Sequence, residues 1–225
     1  MNDFFDYEID LVKKFLEFKK DDLSHSITTI EVPVRWGNID IVSIKNNFMP
    51  FNDEQCLVLS KVSNARIFLK TKKNQGISKT KLLSINGMSS STIENSINQL
   101  IKSGLVVKNN NLYYRNIDFS FPKVVISGYE AKLSDYNKAV YQAIINKEYV
   151  DYSYMVFPMD VAQKILNTKS EFLISNGIGL IGVSNKKQKV LLKPKKIKEI
   201  KQYFRLVNII QTNLCINKKT LINQY

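Results

Sequence analysis

The stretch between Val124 and Pro158 constrains the fold of this chain more than any other. An apolar run, Val124-Val125-Ile126, passes through Ser127-Gly128 into Tyr129-Glu130-Ala131-Lys132-Leu133. A helical pattern then covers Asp135 to Glu148, and Tyr152 to Pro158 reads as another strand. Side chains two apart on a strand share a face, so Glu130 and Lys132 project together while Ala131 points away. A carboxylate beside an ammonium suits metal-assisted phosphodiester hydrolysis: the carboxylate binds a hard cation, and the lysine orients water or offsets charge growing on the phosphate. Most Glu-x-Lys triplets are the solvated face of an edge strand, so the rest of the chain has to supply partners.

Charge narrows the partners. The chain has 225 residues, enough for one large domain or two small ones, and a formal net charge of +13. Such a balance asks for a polyanion, with nucleic acid first, because lysine and arginine displace the counterions condensed on phosphates. Phe51 to Asn116 carries ten Lys/Arg against three Asp/Glu, and Asn185 to Arg205 carries nine against one. Both stretches hold periodic apolar residues, which points to basic faces on folded structure rather than loose arms. No apolar run reaches about eighteen residues and no signal-peptide pattern is present, so a soluble, cytoplasmic protein without a membrane partner is expected. Cys56 and Cys215 lack metal-ligand spacing and are expected as reduced thiols in helices. The single histidine, His25 at a helix-to-strand junction, excludes multi-histidine zinc sites.

Two acids stand out near the N-terminus. Residues 3–20 read as an amphipathic helix with Phe4, Phe5, Tyr7, Leu11, Val12, Phe15, Leu16 and Phe18 on one arc. Glu8 falls near the centre of that arc, flanked by Phe4 and Val12. A buried carboxylate is costly unless it is paired or bound to metal; otherwise it reaches past the core to a backbone group or an arginine. Residues 27–35 form a strand with Pro33 near an end or edge, Trp36-Gly37-Asn38 a turn, and Ile39–Ile44 a second strand. Asp40 lies inside that second strand, where Asp is normally depleted. It is either chemically employed or satisfied at the strand end by turn amides.

From residue 51 the pattern changes. Asp53 to about Lys70 reads as helix, and Ile77–Ile85 as a short helix ended by Asn86-Gly87. Met88-Ser89-Ser90-Ser91-Thr92 supplies an N-cap cluster for a helix with Ile93, Ile97, Leu100 and Ile101 on one face. Ser103-Gly104 closes that helix, and two short strands flank a tip at Lys108-Asn109-Asn110. This order resembles the winged helix-turn-helix of bacterial DNA-binding proteins. The resemblance implies that the helix beginning near Ser90 enters the major groove of double-stranded DNA. It would present Ser90, Ser91, Thr92, Asn95 and Asn98, with Lys102 near its end, while Lys108 and Asn109 of the wing meet the backbone. A winged helix also serves in some proteins purely as a protein-binding module.

Beyond Pro158, Met159 to Thr168 reads as helix, Gly177–Val183 and Val190–Leu192 as strands, and Ile197 to about Leu214 as a closing helix. With residues 51–116 set aside, the remainder runs helix, strand, turn, strand with Asp40, strand with Glu130-x-Lys132, helix, strand. It resembles the PD-(D/E)xK, or restriction-endonuclease-like, nuclease superfamily. The implied fold is α/β (α+β): a mixed sheet flanked by helices over 1–50 and 117–225, interrupted by the winged helix at 51–116. Asp40 matches the family's first acid, Glu130 and Lys132 its Glu-x-Lys, and Glu8 the acid on the first helix. Gln142 matches a glutamine that often lies beside the catalytic lysine. Ile39 replaces the family's proline, and ninety positions separate Asp40 from Glu130, an excess that the insertion explains.

The resemblance implies a metal-dependent deoxyribonuclease. Asp40, Glu130, the Ala131 carbonyl and Glu8 would seat Mg²⁺ or Mn²⁺, and Lys132 would stabilise the attacking hydroxide. One active site cuts one strand, so a duplex cut implies a homodimer or two binding events. Two further readings stay open: a DNA-binding regulator or subunit whose nuclease fold is inactive, and a nuclease dependent on a partner protein in a defence, repair or transposition complex.

Overall fold

The computed structural model describes residues 5–19, 26–35, 37–46 and 49–222. His25, Trp36, Phe4 and the start of the expected N-terminal helix lie outside them. The chain divides into two compact units, Met1–Asn47 with Lys123–Ile200, and Phe48–Pro122 with Lys201–Tyr225.

The first unit is built on a six-stranded mixed sheet in the order β1-β2-β3-β4-β5-β6. Its strands are β1 (Ser26–Val34), β2 (Gly37–Lys45), β3 (Val125–Ala131), β4 (Tyr152–Pro158), β5 (Gly179–Val183) and β6 (Gln188–Leu192). The hairpin of β1 and β2 is antiparallel, β2 pairs antiparallel with β3, and β3, β4 and β5 run parallel before β6 turns back. The parallel steps follow from the helices that separate these strands, α2 (Tyr136–Asn146) and α3 (Met159–Asn176), since parallel neighbours need a crossover connection. Alternation along β4 and β5 feeds two cores. Met155, Phe157 and Leu180 pack with Ala139, Ala143 and Ile165 of α2 and α3. Val156, Ile181 and Val183 pack with Leu11, Val12 and Phe15 of α1 (Glu8–Lys19). The sheet therefore has helices on both faces.

Local signals set the helix ends. The Asp135 carboxylate caps α2 by accepting from Lys138 N at 2.9 Å. Gly177, at φ 67°, ends α3 in the left-handed conformation, so α3 runs to Asn176 rather than stopping near Thr168.

The second unit joins five helices to a three-stranded antiparallel sheet. In chain order these are α4 (Asp53–Leu59), α5 (Val62–Lys70), β7 (Ile77–Ser78), α6 (Lys79–Asn86), α7 (Ser90–Lys102), β8 (Val106–Asn109), β9 (Leu112–Arg115) and α8 (Gln202–Ile222). The helix expected over 53–70 is two helices, broken at Ser60-Lys61. Asn52 and Gln55 form a reciprocal capping box on α4, and Ser78 and Ser89 cap α6 and α7. The boundary expected at residue 117 does not hold at the C-terminus. Leu206, Val207 and Ile210 of α8 share a core with Leu59, Phe68, Ile93 and Leu100. The apolar stripe of α8 is what carries it there, and its order in the chain gave no hint of that partner. Cys56 and Cys215 lie in helices outside any disulfide among the described residues, and burial pushes the Cys56 thiol up to about 11.

Candidate active site

The end of β3 is where the chain concentrates buried charge. Glu130 and Lys132 are both buried, Glu130 completely. The ladder between β2 and β3 pairs Ile41 with Tyr129, and its next step sets Asp40 beside Glu130. Asp40 Oδ2 accepts from Ala131 N at 3.0 Å and from Lys132 Nζ at 3.1 Å. Lys132 Nζ also donates to the Ala131 carbonyl at 2.9 Å and lies 3.5 Å from Glu8 Oε2. Its own N–H binds Val156 O at 3.1 Å, which holds the lysine against the neighbouring parallel strand. Glu8, Asp40, Ala131, Glu130 and Lys132 are thus brought together from α1, β2 and β3.

The electrostatics follow from burial. Desolvation and the adjacent Asp40 carboxylate raise Glu130 from about 4.5 to about 8, against the lowering effects of Asn146 and Lys132. Burial pulls the Lys132 ammonium down, but Asp40, Glu8 and Glu130 outweigh it and its pKa is raised. Glu130 Oε1 accepts from Asn146 Nδ2 at 2.6 Å, while Oε2 is buried with no donor in reach, and hydrogen bonding of the protonated carboxyl to Asp40 adds to the raised pKa.

Glu8 departs from expectation. It is the first residue of α1, and its side chain is 52% exposed rather than buried in an apolar arc. The helix begins at residue 8 instead of 3, so only Leu11, Val12 and Phe15 form its buried stripe. A carboxylate in the first turn is favourably placed against the helix dipole. Gln142 does not reach Lys132 by any hydrogen bond among the described residues; its Oε1 is buried and unpartnered.

Two contributors were missed by sequence reasoning. Asn146 is one turn past Ala143 on the buried face of α2, and a buried amide continuing an apolar stripe was the available signal. Glu31 lies on β1 between the pairs Ile30–Ile41 and Val32–Ile39, hence opposite Asp40, with φ at 56°. Together with Glu8, Asp40 and Ala131 it lines a cleft of about 130 Å³. Its left-handed backbone is unusual for a non-glycine residue, and nothing in the sequence announced it.

The oxygens here suit a hard cation. A carboxylate oxygen without a partner, a second carboxylate beside it and a main-chain carbonyl are the donor chemistry of Mg²⁺. Among the described residues no three His, Cys, Asp or Glu side chains are grouped as metal ligands, and the oxygens nearest one another here are those of Asp40, Glu130 and the Ala131 carbonyl. Glu8 is directed to Lys132.

No family model, curated protein or solved structure matches the chain.

In the second unit, α7 exposes Ser90, Ser91, Asn95, Asn98 and Lys102, and Lys108 and Asn109 are exposed on β8. Thr92 is half-buried, and its hydroxyl, like that of Ser91, is hydrogen-bonded to the capping Ser89 at 2.8 and 3.0 Å. Glu94, exposed on the same helix, is ion-paired with Lys79. A groove of about 410 Å³ lined by Lys70, Lys72, Ser78 and Lys81 adds cationic surface. No helix of the described residues is long and apolar enough to cross a membrane.

Proposed function

We propose that this chain is a metal-dependent DNA endonuclease of the PD-(D/E)xK type, in which a winged helix-turn-helix unit binds the duplex and the mixed-sheet unit hydrolyses a phosphodiester. The single observation that carries this reading is Glu130: a fully buried carboxylate, one oxygen unpartnered, held beside Asp40 and Lys132. With its pKa at about 8, the buried carboxyl keeps a proton beside Asp40 at neutral pH, and a bound cation would take the place of that proton. Asp40 and Glu130 hold Mg²⁺ or Mn²⁺, with the Ala131 carbonyl as a further ligand. The cation supplies acidified water and offsets charge on the scissile phosphate. Asn146 fixes the orientation of Glu130 through Oε1 and leaves Oε2 for the metal. Lys132, anchored to the Ala131 carbonyl and Asp40, places its ammonium where charge develops on the attacking or phosphoryl oxygens. In the second unit, the exposed Ser90, Ser91, Asn95 and Asn98 face base edges, and Lys102, Lys108 and Asn109 meet phosphates, with Thr92 at the helix start.

The test is incubation of the purified chain with plasmid and linear DNA in Mg²⁺ or Mn²⁺. Cleavage by the wild type that disappears in Lys132→Ala is the expected result. The second reading, an inactive nuclease fold within a DNA-binding subunit, draws on Lys132 already neutralising Asp40 and Glu8. Duplex binding with no cleavage in either metal would select it.

A further inference from the structure

A groove of about 340 Å³ lies between α2 and the hairpin of β1 and β2, its walls including Val34, Asn38, Lys138, Tyr141, Gln142 and Asn146. This volume is within the range of small-molecule sites. Its lining is specific in three respects. Tyr141 leaves 66% of its surface exposed, and no ring of the described residues stacks on it. Gln142 offers a buried carboxamide oxygen that accepts no hydrogen bond. Lys138 stands exposed, and its ammonium has no ion pair among the described residues. An aromatic face, an unsatisfied amide edge and a free cation are complementary to a ligand that is flat, polar at its rim and anionic at one end.

We propose that this groove receives one unpaired nucleobase of the nucleic acid, stacked on Tyr141, read at its edge by Gln142 and held by its phosphate through Lys138. Asn146 lines the groove and also donates to Glu130 Oε1 at 2.6 Å, so the captured nucleotide is a close neighbour of the candidate active site. The inference rests on the nuclease reading only for that consequence: the strand to be cut carries an unpaired or extruded nucleotide. Base-on-aromatic stacking tolerates any base because every base has a π-face, whereas the Gln142 amide adds a preference among base edges.

The experiment uses the full chain in EDTA with a single-stranded deoxyoligonucleotide carrying 5-iodouracil, irradiated and mapped by peptide mass spectrometry, with affinity read by fluorescence anisotropy. A covalent adduct on Tyr141 is expected. Tyr141→Leu should remove it and weaken binding about tenfold, while Tyr141→Phe retains both, in keeping with the stacking scale. Gln142→Leu should weaken binding about fivefold without moving the adduct. Adducts confined to Tyr113 or Tyr114 of the second unit, or a Tyr141→Leu protein that binds like wild type, would overturn the proposal. A protein that forms the Tyr141 adduct yet cuts nothing in Mg²⁺ or Mn²⁺ sinks the nuclease reading and leaves the groove standing. One that cuts DNA but forms no adduct there does the reverse.

Discussion

The two units handle polar groups in opposite ways. In the first, the end of β3 buries Glu130 and Lys132, leaves a carboxylate oxygen unsatisfied and raises Glu130 to about 8. In the second, the residues expected to meet DNA are exposed except the half-buried Thr92, α7 is capped by Ser89, and its core is apolar from Leu59 to Ile210. A fold needs no carboxyl buried beside a second carboxylate, and Glu130 avoids the clash at neutral pH by keeping its proton, an arrangement that packing alone does not ask for. The second costs nothing and would look the same in a protein that merely folds. Function is therefore argued more firmly from the strained unit than from the comfortable one.

The sharpest way to break this contrast is at Lys132. Lys132→Ala should lower cleavage by a hundred- to a thousandfold or more, on the scale of losing one preorganised donor. It leaves Asp40 and Glu8 without their shared cation. Wild-type rates in the variant, measured on plasmid DNA, would remove Lys132 from the chemistry.

Next in size is a substitution in the unit that carries no strain. Leu206 is buried in the core of the second unit, and Leu206→Ala should cost about 2–5 kcal/mol by denaturant unfolding. An unchanged midpoint would mean that α8 does not belong to that core.

Glu130→Gln should do the opposite to stability while abolishing cleavage. The folded pKa of Glu130, about 8, lies above its ordinary value of 4.5, so the folded state binds this proton more tightly than the unfolded chain does. Stability then falls as pH rises from about 4.5 and levels off above about 8. Glutamine keeps the bond from Asn146, offers its NH₂ toward Asp40 and removes that slope. Its advantage in unfolding free energy should be absent near pH 4 and grow to roughly a few kcal/mol by pH 8, read by denaturant unfolding at each pH. A constant difference across pH would contradict the raised pKa.

Asn146→Leu removes the hydrogen bond that lowers the Glu130 pKa, so Glu130 should ionise at still higher pH. Metal must displace that proton, and the concentration of Mg²⁺ for half-maximal cleavage should rise about ten- to a hundredfold at neutral pH. The loss should shrink as pH increases. A loss independent of pH would reduce Asn146 to a packing role.

How far the sequence disclosed all this depends on the range of the interaction. Most strand and helix placement and the caps at Ser89 and Asp135 were legible, because period and spacing are local, whereas the meeting of Asp40 with Glu130 and Lys132, ninety positions on, was expected only from the family resemblance. The two faces of α7 were legible from local period too: Ile93, Ile97 and Leu100 turn inward, and Asn95 and Asn98 must then turn out. Glu8 does share a helix face with Leu11, Val12 and Phe15, but as the first residue of α1 it lies beyond the core, and its expected burial fails for that reason. Asn146, Glu31 and the partner of α8 depend on contacts between elements far apart in the chain, and no single window of residues contains them.

The smallest expected effects test the unstrained unit and separate two kinds of DNA contact. Lys108, exposed on β8, should act on phosphates. Lys108→Ala should weaken duplex binding uniformly across sequences and lower the salt slope by about one. Asn95, exposed on α7, should act on a base edge. Asn95→Ala should cost about 1–3 kcal/mol on the preferred sequence, relax preference at one position and leave the salt slope unchanged. Anisotropy titrations at several salt concentrations on preferred and scrambled duplexes distinguish the two signatures. If both variants bind like wild type, α7 and the hairpin of β8 and β9 are not the duplex-binding face. The exposed lysines of the groove at Lys70, Lys72 and Lys81 would then be the next cationic surface to test in that unit.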